Sequence, residues 1–383
     1  MLDFSFTSEQ TELSRTLRAF ARKELAPHSA RWDKCGEFPW EAWRQMGELG
    51  LLGLRAPAEL GGSGADLVTT GIAVEEVARG DFGATYGIQL AAFAAEIVGP
   101  HGTEEIRQRW IPPTTRGETV IALALTEPGA GSDAAQLVCR AERDGDDYVL
   151  TGEKSGISLG MAAQAAIVFA RTGTGGARGI SAFLVPLDLP GVARSRLRDL
   201  GTHVIGRAVL SFDHVRVPVS HRLGAEGTGF RQVMQSFDFN RALIGLACLG
   251  AAQVSLEETM AYVKGRQAFG RALARFEGVS FPIAESATQL EAARWLCYRA
   301  LWLADRGAPY TKEAAMVKSW VPRLAVDTIH QCLLLHGHYG YTDELPFEQR
   351  MRDVMGLEIG DGAAAIMKIV VARELMGRES LPY

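Results

Sequence analysis

A glycine-containing loop, Thr126-Glu127-Pro128-Gly129-Ala130-Gly131-Ser132-Asp133, holds the residue types best suited to ligand chemistry. Glycine lets the backbone approach a ligand closely, so the loop N–H groups and the Ser132 hydroxyl can meet a bound molecule. Residues 129–134 also fit a loose G-x-G-x-x-A dinucleotide pattern, but such a loop should open a helix, and Gln136-Leu137-Val138-Cys139 predicts a strand. A ligand-contacting turn is therefore favoured over a dinucleotide loop or a solvent-exposed hairpin turn.

Other kinds of site chemistry have weak support. The five cysteines are scattered without C-x-x-C spacing, which is typical of reduced, structural thiols in a cytoplasmic protein. The eight histidines include no H-E-x-x-H and no zinc-site spacing, so we expect no metal. The formal net charge of −5, without basic runs interleaved with aromatic residues, argues against nucleic-acid binding.

The chain is expected to stay in the cytoplasm. Met1–Phe6 lacks the basic region and apolar core of a secretory signal. The most apolar stretch, Ala242–Val254, is interrupted by Gly245 and Gly250 and is too short to span a bilayer. With 47% hydrophobic and 22% charged residues, the composition is that of an ordinary globular protein.

Three regions of different hydrophobic periodicity must position the loop. In residues 1–118 the spacing is helical: Thr7 and Gln10 form a candidate capping box, and the first helix is predicted to end at Pro27. Residues 119–229 hold short apolar or alternating runs without long helices for parallel crossovers, which predicts an antiparallel β-domain. The predicted strands are 119–125, 136–140, 148–151, 166–171, 180–186 and 209–217.

The last region, residues 230–383, returns to long helices. They are predicted at about 230–265, 277–306, 310–336 and 358–377, with apolar positions three and four apart. Short connections between such helices indicate an antiparallel four-helix bundle. The fold class is therefore α+β: an N-terminal α-helical domain, a middle antiparallel β-domain and a C-terminal four-helix bundle.

The loop, together with Leu125, resembles the signature of the acyl-CoA dehydrogenase family. Further matches to family motifs follow in order along almost the whole chain. They lie at 49–54, 60–62, 151–154, 179–183, 212–218, 266–270, 336–342 and 352–353. The resemblance implies an α–β–α three-domain fold, FAD as cofactor and a homotetramer. It also implies an acyl-CoA or acyl-carrier-protein substrate, with an electron-transfer flavoprotein as electron acceptor.

The resemblance assigns residues to the flavin. Those expected to line it are Leu123, Leu125, Thr126, Gly131 and Ser132. Ser132 should also lie near the thioester, and Gly156-Ile157-Ser158 replace the family's Trp-Ile-Thr beside the isoalloxazine. Arg266 and Phe269 match residues that meet the FAD pyrophosphate and adenosine of a neighbouring subunit, a task that suits the guanidinium fork. Arg266 could instead be a solvated arginine at a helix end.

Further implied contacts concern both cofactor and substrate. The remaining positions expected to contact the cofactor are Glu277, Leu334, Gly337, His338, Ala363 and Ala365. At all of them except Gly337, the residue type differs from the family pattern. On the substrate side, Gln89 belongs to the helix 83–96 that should roof the acyl pocket, and Gly362 is a further contact. Asp238 and Arg241 match the family's D-x-x-R contacts to acyl-CoA, although they could be only a surface ion pair.

The family also implies a carboxylate base, which removes the α-proton in a desolvated site that raises its pKa. Most members use the Glu of an I-Y-E-G-T motif, which reads Ile359-Gly360-Asp361-Gly362-Ala363 here. A second group carries the Glu where this chain has Asn240, whose amide cannot accept the proton. Asp361 is the remaining candidate, with hydride leaving the β-carbon for flavin N5. Its own N–H and a ribityl hydroxyl should meet the enolate oxygen. The alternative is that Asp361 merely caps the last helix.

Several departures from the family pattern bear on the substrate. Gly156 replaces a Trp and opens space or solvent access beside the flavin, and Ala363-Ala364-Ala365 replace Thr-Ser-Glu. With an Asp as the base, the chain resembles family members that act on alicyclic acyl-CoA or on carrier-protein-bound acyl groups. It also resembles nitroalkane oxidase in this respect. We expect α,β-dehydrogenation of a short, branched or cyclic acyl thioester. The open alternatives are oxidation of a carrier-protein-bound acyl group in a biosynthetic pathway, a flavin oxidase or monooxygenase, and a non-catalytic binding module.

Overall fold

The computed structural model describes residues 5–380, so most of the N-terminal segment examined for a signal lies outside it. The first helix, α1 (Ser8–Phe20), begins at the predicted capping box: Thr7 Oγ1 accepts from the Gln10 N–H, and Gln10 Oε1 accepts from the Thr7 N–H, both at 3.1 Å. A π-turn over Ala21–Leu25 then leads into α2 (Ala26–Cys35). The predicted end at Pro27 is wrong, because this proline lies in the first turn of α2, where a missing N–H costs little.

Four more helices complete the N-terminal region. They are α3 (Trp40–Glu48), α4 (Leu67–Ala78), α5 (Thr85–His101) and α6 (Glu104–Thr115). Helices α4 and α5 are buried on nearly every side. A helix that is apolar all round belongs in a protein interior, and α5 packs between the sheet and the C-terminal helices.

The middle region forms one mixed sheet. Its strands are β1 (Ile121–Ala124), β2 (Arg140–Asp144), β3 (Asp147–Ile157), β4 (Ala165–Arg171), β5 (Ile180–Pro186), β6 (Val192–Arg196), β7 (Ala208–Pro218) and β8 (Arg222–Leu223). Their order is β6-β7-β3-β2-β4-β5-β8, and β1 pairs with β4. Most pairs are antiparallel as predicted, such as β4 with β5 from Ala165↔Pro186 to Arg171↔Ile180.

Two details of the sheet differ from the sequence prediction. Strand β1 pairs parallel with β4, and Arg140 of β2 also makes one parallel pair with β4. The β2–β3 hairpin connects β1 to β4, so this parallel pair needs no crossover helix. The strand predicted at 136–140 is wrong, since β2 begins only at Arg140 and a 3₁₀ turn covers Ala134–Gln136. The N–H groups of Val138 and Cys139 donate to the Glu127 carboxylate instead of to a neighbouring strand.

The C-terminal region is built from long helices. They are α7 (Gly229–Gly265), α8 (Glu277–Asp305), α9 (Thr311–Leu335), α10 (Phe347–Met355) and α11 (Ala364–Met376), with a small hairpin of β9 (Gln267–Ala268) and β10 (Arg271–Ala272) after α7. The first three long helices match the predicted ones. The last begins at Ala364 rather than 358, because Gly356–Glu358 forms a 3₁₀ turn and Asp361 and Gly362 have positive φ.

Helix α7 is the centre of this region. It packs against α4, α8 and α9, and its residues from Phe239 to Ala252 are all buried. Within residues 5–380 it is the one helix long and apolar enough to cross a membrane by length and composition, but 89% of its apolar window is buried inside the protein. The burial is that of a core helix.

Candidate active site

A cleft forms where α5, β1, the end of β3, α7 and the turn before α11 meet. Its lining residues are Tyr86, Gln89, Leu90, Phe93, Leu123, Leu125, Thr126, Gly156, Ile157, Ser158, Phe237, Asn240 and Asp361. Eight of these were predicted as site residues from the sequence. Chain segments separated by more than 200 residues therefore meet in one cavity, as the three-region organisation requires.

The glycine-containing loop is fixed by a buried ion pair behind it. Lys154 on β3 donates to Glu127 Oε1 at 2.7 Å and to the Leu125 carbonyl at 2.9 Å, and the side chains of Lys154 and Glu127 are 0% and 3% exposed. The Glu127 carboxylate also accepts from the N–H groups of Val138 and Cys139. A buried charge is tolerated only when it is paired and hydrogen-bonded, and both members of this pair are. The pair ties the loop to β3.

The outer face of this loop presents backbone hydrogen-bond donors. The backbone N–H groups of Thr126, Gly131 and Ser132 have no acceptor among residues 5–380. A Cβ built at Gly129 or Gly131 meets nothing within 4 Å, so the loop leaves open space beside it. Free N–H donors beside a cleft fit the polar edge of a flavin ring, whose carbonyl oxygens and ring nitrogens accept hydrogen bonds. Ser132 itself lies in the loop rather than in the cleft lining.

Gly156 lines the cleft in a conformation that favours glycine. Its φ is +72°, and a Cβ placed there meets no atom within 4 Å. It follows a register shift in the β3–β7 pairing between Lys154 and Ile157. A larger side chain in the left-handed region would cost about 1–2 kcal/mol. A glycine at this position, in place of the family's Trp, therefore suits the local bulge and leaves the cleft open.

Asp361 is held in an unusual backbone conformation at the edge of the cleft. Its φ is +54°, and Gly362 follows with φ +108°. The carboxylate accepts a hydrogen bond from Asn240 Nδ2 at 3.1 Å. The alternative that Asp361 caps the last helix is wrong, because Ala363 is the N-cap residue of α11 and no side chain caps that helix. A strained residue that turns its side chain into a cleft is a candidate for function.

The groups around Asp361 shift the pKa of its carboxyl in opposite directions. Burial raises the pKa of the Asp361 carboxyl, while the Lys318 and Arg241 charges and the Asn240 hydrogen bond lower it; the net direction is upward. Burial and the Asp361 charge also raise the pKa of the Tyr86 phenol, which stays neutral. A carboxylate with a raised pKa in a cleft is the form that a general base takes.

This raised pKa predicts a pH-dependent cost to stability. A carboxyl whose folded pKa exceeds its unfolded value contributes stability below the unfolded pKa, and loses it as pH rises through the folded pKa. Asp361→Asn removes the titration. The unfolding temperature of this variant, relative to that of the parent, should therefore increase as pH rises from 4 to 8. Thermal unfolding across that range tests this. A constant difference between the two proteins would contradict the raised pKa.

Lys318 on α9 anchors the turn that carries Asp361. It is fully buried, and its ammonium donates to the carbonyls of Leu357 and Gly362, the latter at 2.9 Å. Burial lowers the pKa of Lys318 to about 8. Lys318 was not predicted as a site residue from the sequence. The available signal was a lysine in the mostly apolar run of residues 314–321, in the middle of a predicted core helix.

Asp238 and Arg241 are not a surface pair. Arg241 Nη1 donates to Asp238 Oδ1 at 2.7 Å, with side chains only 10% and 16% exposed, and the Thr311 hydroxyl donates to Asp238 Oδ2. Arg241 Nη2 lies 3.6 Å from where a Cβ on Gly362 would stand. The pair thus lies directly against the Asp361 turn.

The remaining predicted cofactor residues lie outside the cleft. Arg266 is the C-cap residue of α7, Phe269 lies at the turn of the β9–β10 hairpin, and Glu277 is the first residue of α8. Leu334, Gly337 and His338 surround the end of α9, and Ala363 and Ala365 the start of α11. Phe269 is 95% exposed with φ +49°, an unfavourable combination for an aromatic residue in a single chain.

Apart from Gln89, the α5 side of the cleft wall was not predicted from the sequence. Tyr86, Leu90 and Phe93 line the cleft beside Gln89, and they recur on one face of α5 at spacings of three and four. Because α5 is apolar all round, periodicity could not tell which face met a ligand. Phe237 of α7 completes the wall, and its ring meets that of Phe93 edge-on at 5.8 Å.

Comparisons with known proteins agree with this architecture. Models of the acyl-CoA dehydrogenase N-terminal, middle and C-terminal domains match residues 7–118, 122–215 and 227–376. The mitochondrial short-chain specific acyl-CoA dehydrogenase of Bos taurus is 40% identical over 369 residues, covering 95% of this chain and 89% of that protein. The structure of butyryl-CoA dehydrogenase from Megasphaera elsdenii superposes with a TM-score of 0.94 at 32% identity, covering 98% and 100% of the two chains.

A second similar solved structure is that of a protein with a different named activity. The prolyl acyl carrier protein oxidase AnaB superposes with a TM-score of 0.93 at 28% identity, covering 97% of this chain and 100% of that chain. The fold and the cleft together define an FAD-dependent oxidoreductase. The chain belongs to the acyl-CoA dehydrogenase family.

Proposed function

We propose that the protein introduces an α,β double bond into a short, branched or cyclic acyl-CoA thioester, with Asp361 as the base. The observation that carries this proposal is a carboxylate of raised pKa in the same cleft as Thr126 and Ser158. A general base must lie within reach of the proton that it removes, and its pKa should approach the working pH. Asp361 lies in the cleft where the acyl chain would enter, and its pKa is shifted in the direction that a general base requires.

In the proposed reaction, the side chain of Asp361 removes a proton and its backbone N–H stabilises negative charge. The carboxylate takes the α-proton: the Cα–H bond breaks, an O–H bond forms on Asp361, and the electron pair becomes the Cα–Cβ double bond. FAD, when bound, accepts the hydride that leaves the β-carbon. The backbone N–H of Asp361 has no acceptor among the described residues, so it is free to donate to the thioester oxygen as negative charge develops there.

The cleft walls support a compact acyl group. Tyr86, Phe93 and Phe237 are large side chains, and they leave little room for an extended chain between α5 and α7. We assign Gln89, Ser132, Asp238, Arg241 and Gly362 to the substrate. The flavin is assigned to Leu123, Leu125, Thr126, Gly131, Ser132 and the 156–158 segment. An electron-transfer flavoprotein would then reoxidise the enzyme, which we place in the cytoplasm.

A second copy of the chain completes the cofactor site in this proposal. The exposed Arg266 and Phe269 would reach the FAD of a neighbouring subunit in a homotetramer, and Glu277, Leu334, Gly337, His338, Ala363 and Ala365 would contribute to the same surface. The 95% exposure of Phe269 supports this arrangement, because a partner surface would cover the ring.

Arg266→Ala should therefore weaken FAD binding without unfolding the protein. Charge-assisted hydrogen bonds to phosphate contribute about 1.5–3 kcal/mol, so the Kd for FAD should rise roughly 10–150-fold. Flavin released from the protein during dialysis measures the effect. Arg323→Ala, which removes an exposed arginine on α9 paired with Asp327, should retain its FAD. Equal flavin loss in both variants, or in neither, would contradict the assignment.

An anaerobic screen tests the proposed reaction. Purified protein is mixed with short, branched and cyclic acyl-CoA thioesters, and with the same acyl groups on an acyl carrier protein, while the flavin absorbance is followed. The proposal predicts that the yellow colour bleaches with at least one compact acyl-CoA. A colourless protein without flavin in the denatured supernatant would favour a non-catalytic binding module.

Oxidation of a carrier-protein-bound acyl group is the second candidate. The open space at Gly156, which would let water or oxygen approach the flavin, favours an oxidase or monooxygenase outcome. The solved carrier-protein oxidase has the same fold. Bleaching by the carrier-protein thioester alone, followed by rapid recolouring in air without an electron-transfer flavoprotein, would select this candidate over the first.

A further inference from the structure

Asn240 and Asp361 form a hydrogen-bonded pair in the cleft although 121 residues separate them. Asn240 is 1% exposed, and its Nδ2 donates to Asp361 Oδ2 at 3.1 Å. An ionised carboxylate can only accept hydrogen bonds, so the amide must turn its NH₂ group toward Asp361 when that residue is charged. This arrangement suits the base before it takes a proton.

The other half of the same amide has no partner. Asn240 Oδ1 is buried and accepts no hydrogen bond from any residue in the described part of the chain. Leaving a buried carbonyl oxygen unsatisfied is unfavourable, and an apolar side chain of the same shape would avoid the penalty. Packing alone therefore does not account for an amide at this position, and the cost calls for a compensating role.

We infer that Asn240 is a positioning residue that partners Asp361 in both of its protonation states; this inference rests on the proposed role of Asp361 as base. Before proton abstraction, Nδ2 donates to the carboxylate. Afterwards Asp361 carries an O–H group, and a half-turn of the amide about χ2 places Oδ1 where it accepts that O–H. The half-turn breaks only the bond to Asp361, since Oδ1 has no other partner to lose.

Other groups around Asp361 cannot replace this role. Lys318 from α9, Arg241 from α7 and Arg207, just before β7, present positive charges, which favour only the ionised form. Arg241 Nε approaches the backbone carbonyl of Asp361 rather than its carboxylate, and the Tyr86 phenol of α5, which could donate and accept, makes no hydrogen bond to that carboxylate within residues 5–380. Within the described residues, Asn240 is the side chain that hydrogen-bonds the carboxylate and can also accept from the protonated acid.

Asn240→Leu tests the inference with a side chain of similar size. Leucine removes a charge-assisted hydrogen bond from the carboxylate and a weaker neutral one from the acid, so the acidic limb of the pH profile for anaerobic bleaching should move upward by about half to one pH unit. A residue that only donated would give a shift of roughly one to two units. Infrared difference spectra against Asp361→Asn report the protonation of Asp361 without turnover, and their midpoint should move by the same amount. Gln232→Leu removes another buried amide of α7 that lies outside the cleft, and it should leave both midpoints unchanged.

If the leucine variant does not fold, Asn240→Asp, which keeps the shape of the side chain, tests the inference instead. A second carboxylate beside Asp361 accepts but cannot donate when ionised, so the upward shift should be larger than with leucine. Unchanged infrared and kinetic midpoints in the folded variants would overturn the inference. Undiminished bleaching by Asp361→Asn would instead overturn the proposed base, so the two failures are distinguishable.

Discussion

Asp361→Ala should retain its FAD and lose the bleaching of the flavin by acyl thioester. The rate of anaerobic bleaching should fall by about 10²–10⁴-fold, the usual contribution of a positioned general base. Flavin should be retained because the one side-chain hydrogen bond that Asp361 makes within residues 5–380 goes to Asn240, and the loop from Leu123 to Ser132 is anchored independently by Lys154. Stopped-flow absorbance and the flavin-to-protein ratio measure the two quantities on the same sample.

Two control variants separate loss of the base from loss of charge. Asp361→Glu restores a carboxylate at the cost of one extra methylene, so it should bleach faster than Asp361→Ala. Asp343→Ala removes an exposed carboxylate that pairs with Lys34, and it should behave as the parent does. An alanine variant that bleaches at the parental rate with full flavin would leave Asp361 without its proposed role.

Lys154→Met should produce the largest loss of stability. It leaves the Glu127 carboxylate buried without its cation, and breaking one partner out of a buried pair typically costs about 3–5 kcal/mol. The Leu125 carbonyl loses its donor as well, so the loop beside the cleft should loosen and the protein should bind FAD more weakly. Denaturant unfolding and flavin content measure the two effects.

The double variant Lys154→Met with Glu127→Gln provides the internal check. Neutralising the orphaned carboxylate should recover part of the lost stability, which a double-mutant cycle reports as coupling between the two residues. Lys34→Met, which breaks an exposed pair with Asp343, should change stability little. Strictly additive losses at positions 154 and 127 would show that the pair does not fasten the loop.

The sequence predicts most of what is local in this protein. The capping box at Thr7 and Gln10 depends on residues three apart, and the loop at 126–133 is a contiguous motif. The long helices α7, α8 and α9 follow from a periodicity sustained over many turns. Each of these features is specified by neighbours in the chain, so pattern alone is enough to find it.

Features that depend on distant partners are those that the sequence left open. Asn240 was set aside because an amide cannot accept the α-proton, and only the folded chain brings it against Asp361, 121 residues away. Lys318 needs the carbonyls of Leu357 and Gly362 to explain its burial. The strand predicted near 136–140 failed because the Glu127 side chain competes for the backbone N–H groups.

Exchange of the α-protons of a bound thioester in D₂O tests the central claim most directly, because it reports proton abstraction separately from hydride transfer. A compact acyl-CoA that bleaches the flavin, or an analogue without a β-hydrogen, is incubated with the protein and analysed by mass spectrometry. We expect deuterium to enter at the α-carbon with the parent protein and not with FAD-loaded Asp361→Ala. Equal exchange by the two proteins would contradict the assignment of Asp361 as the base.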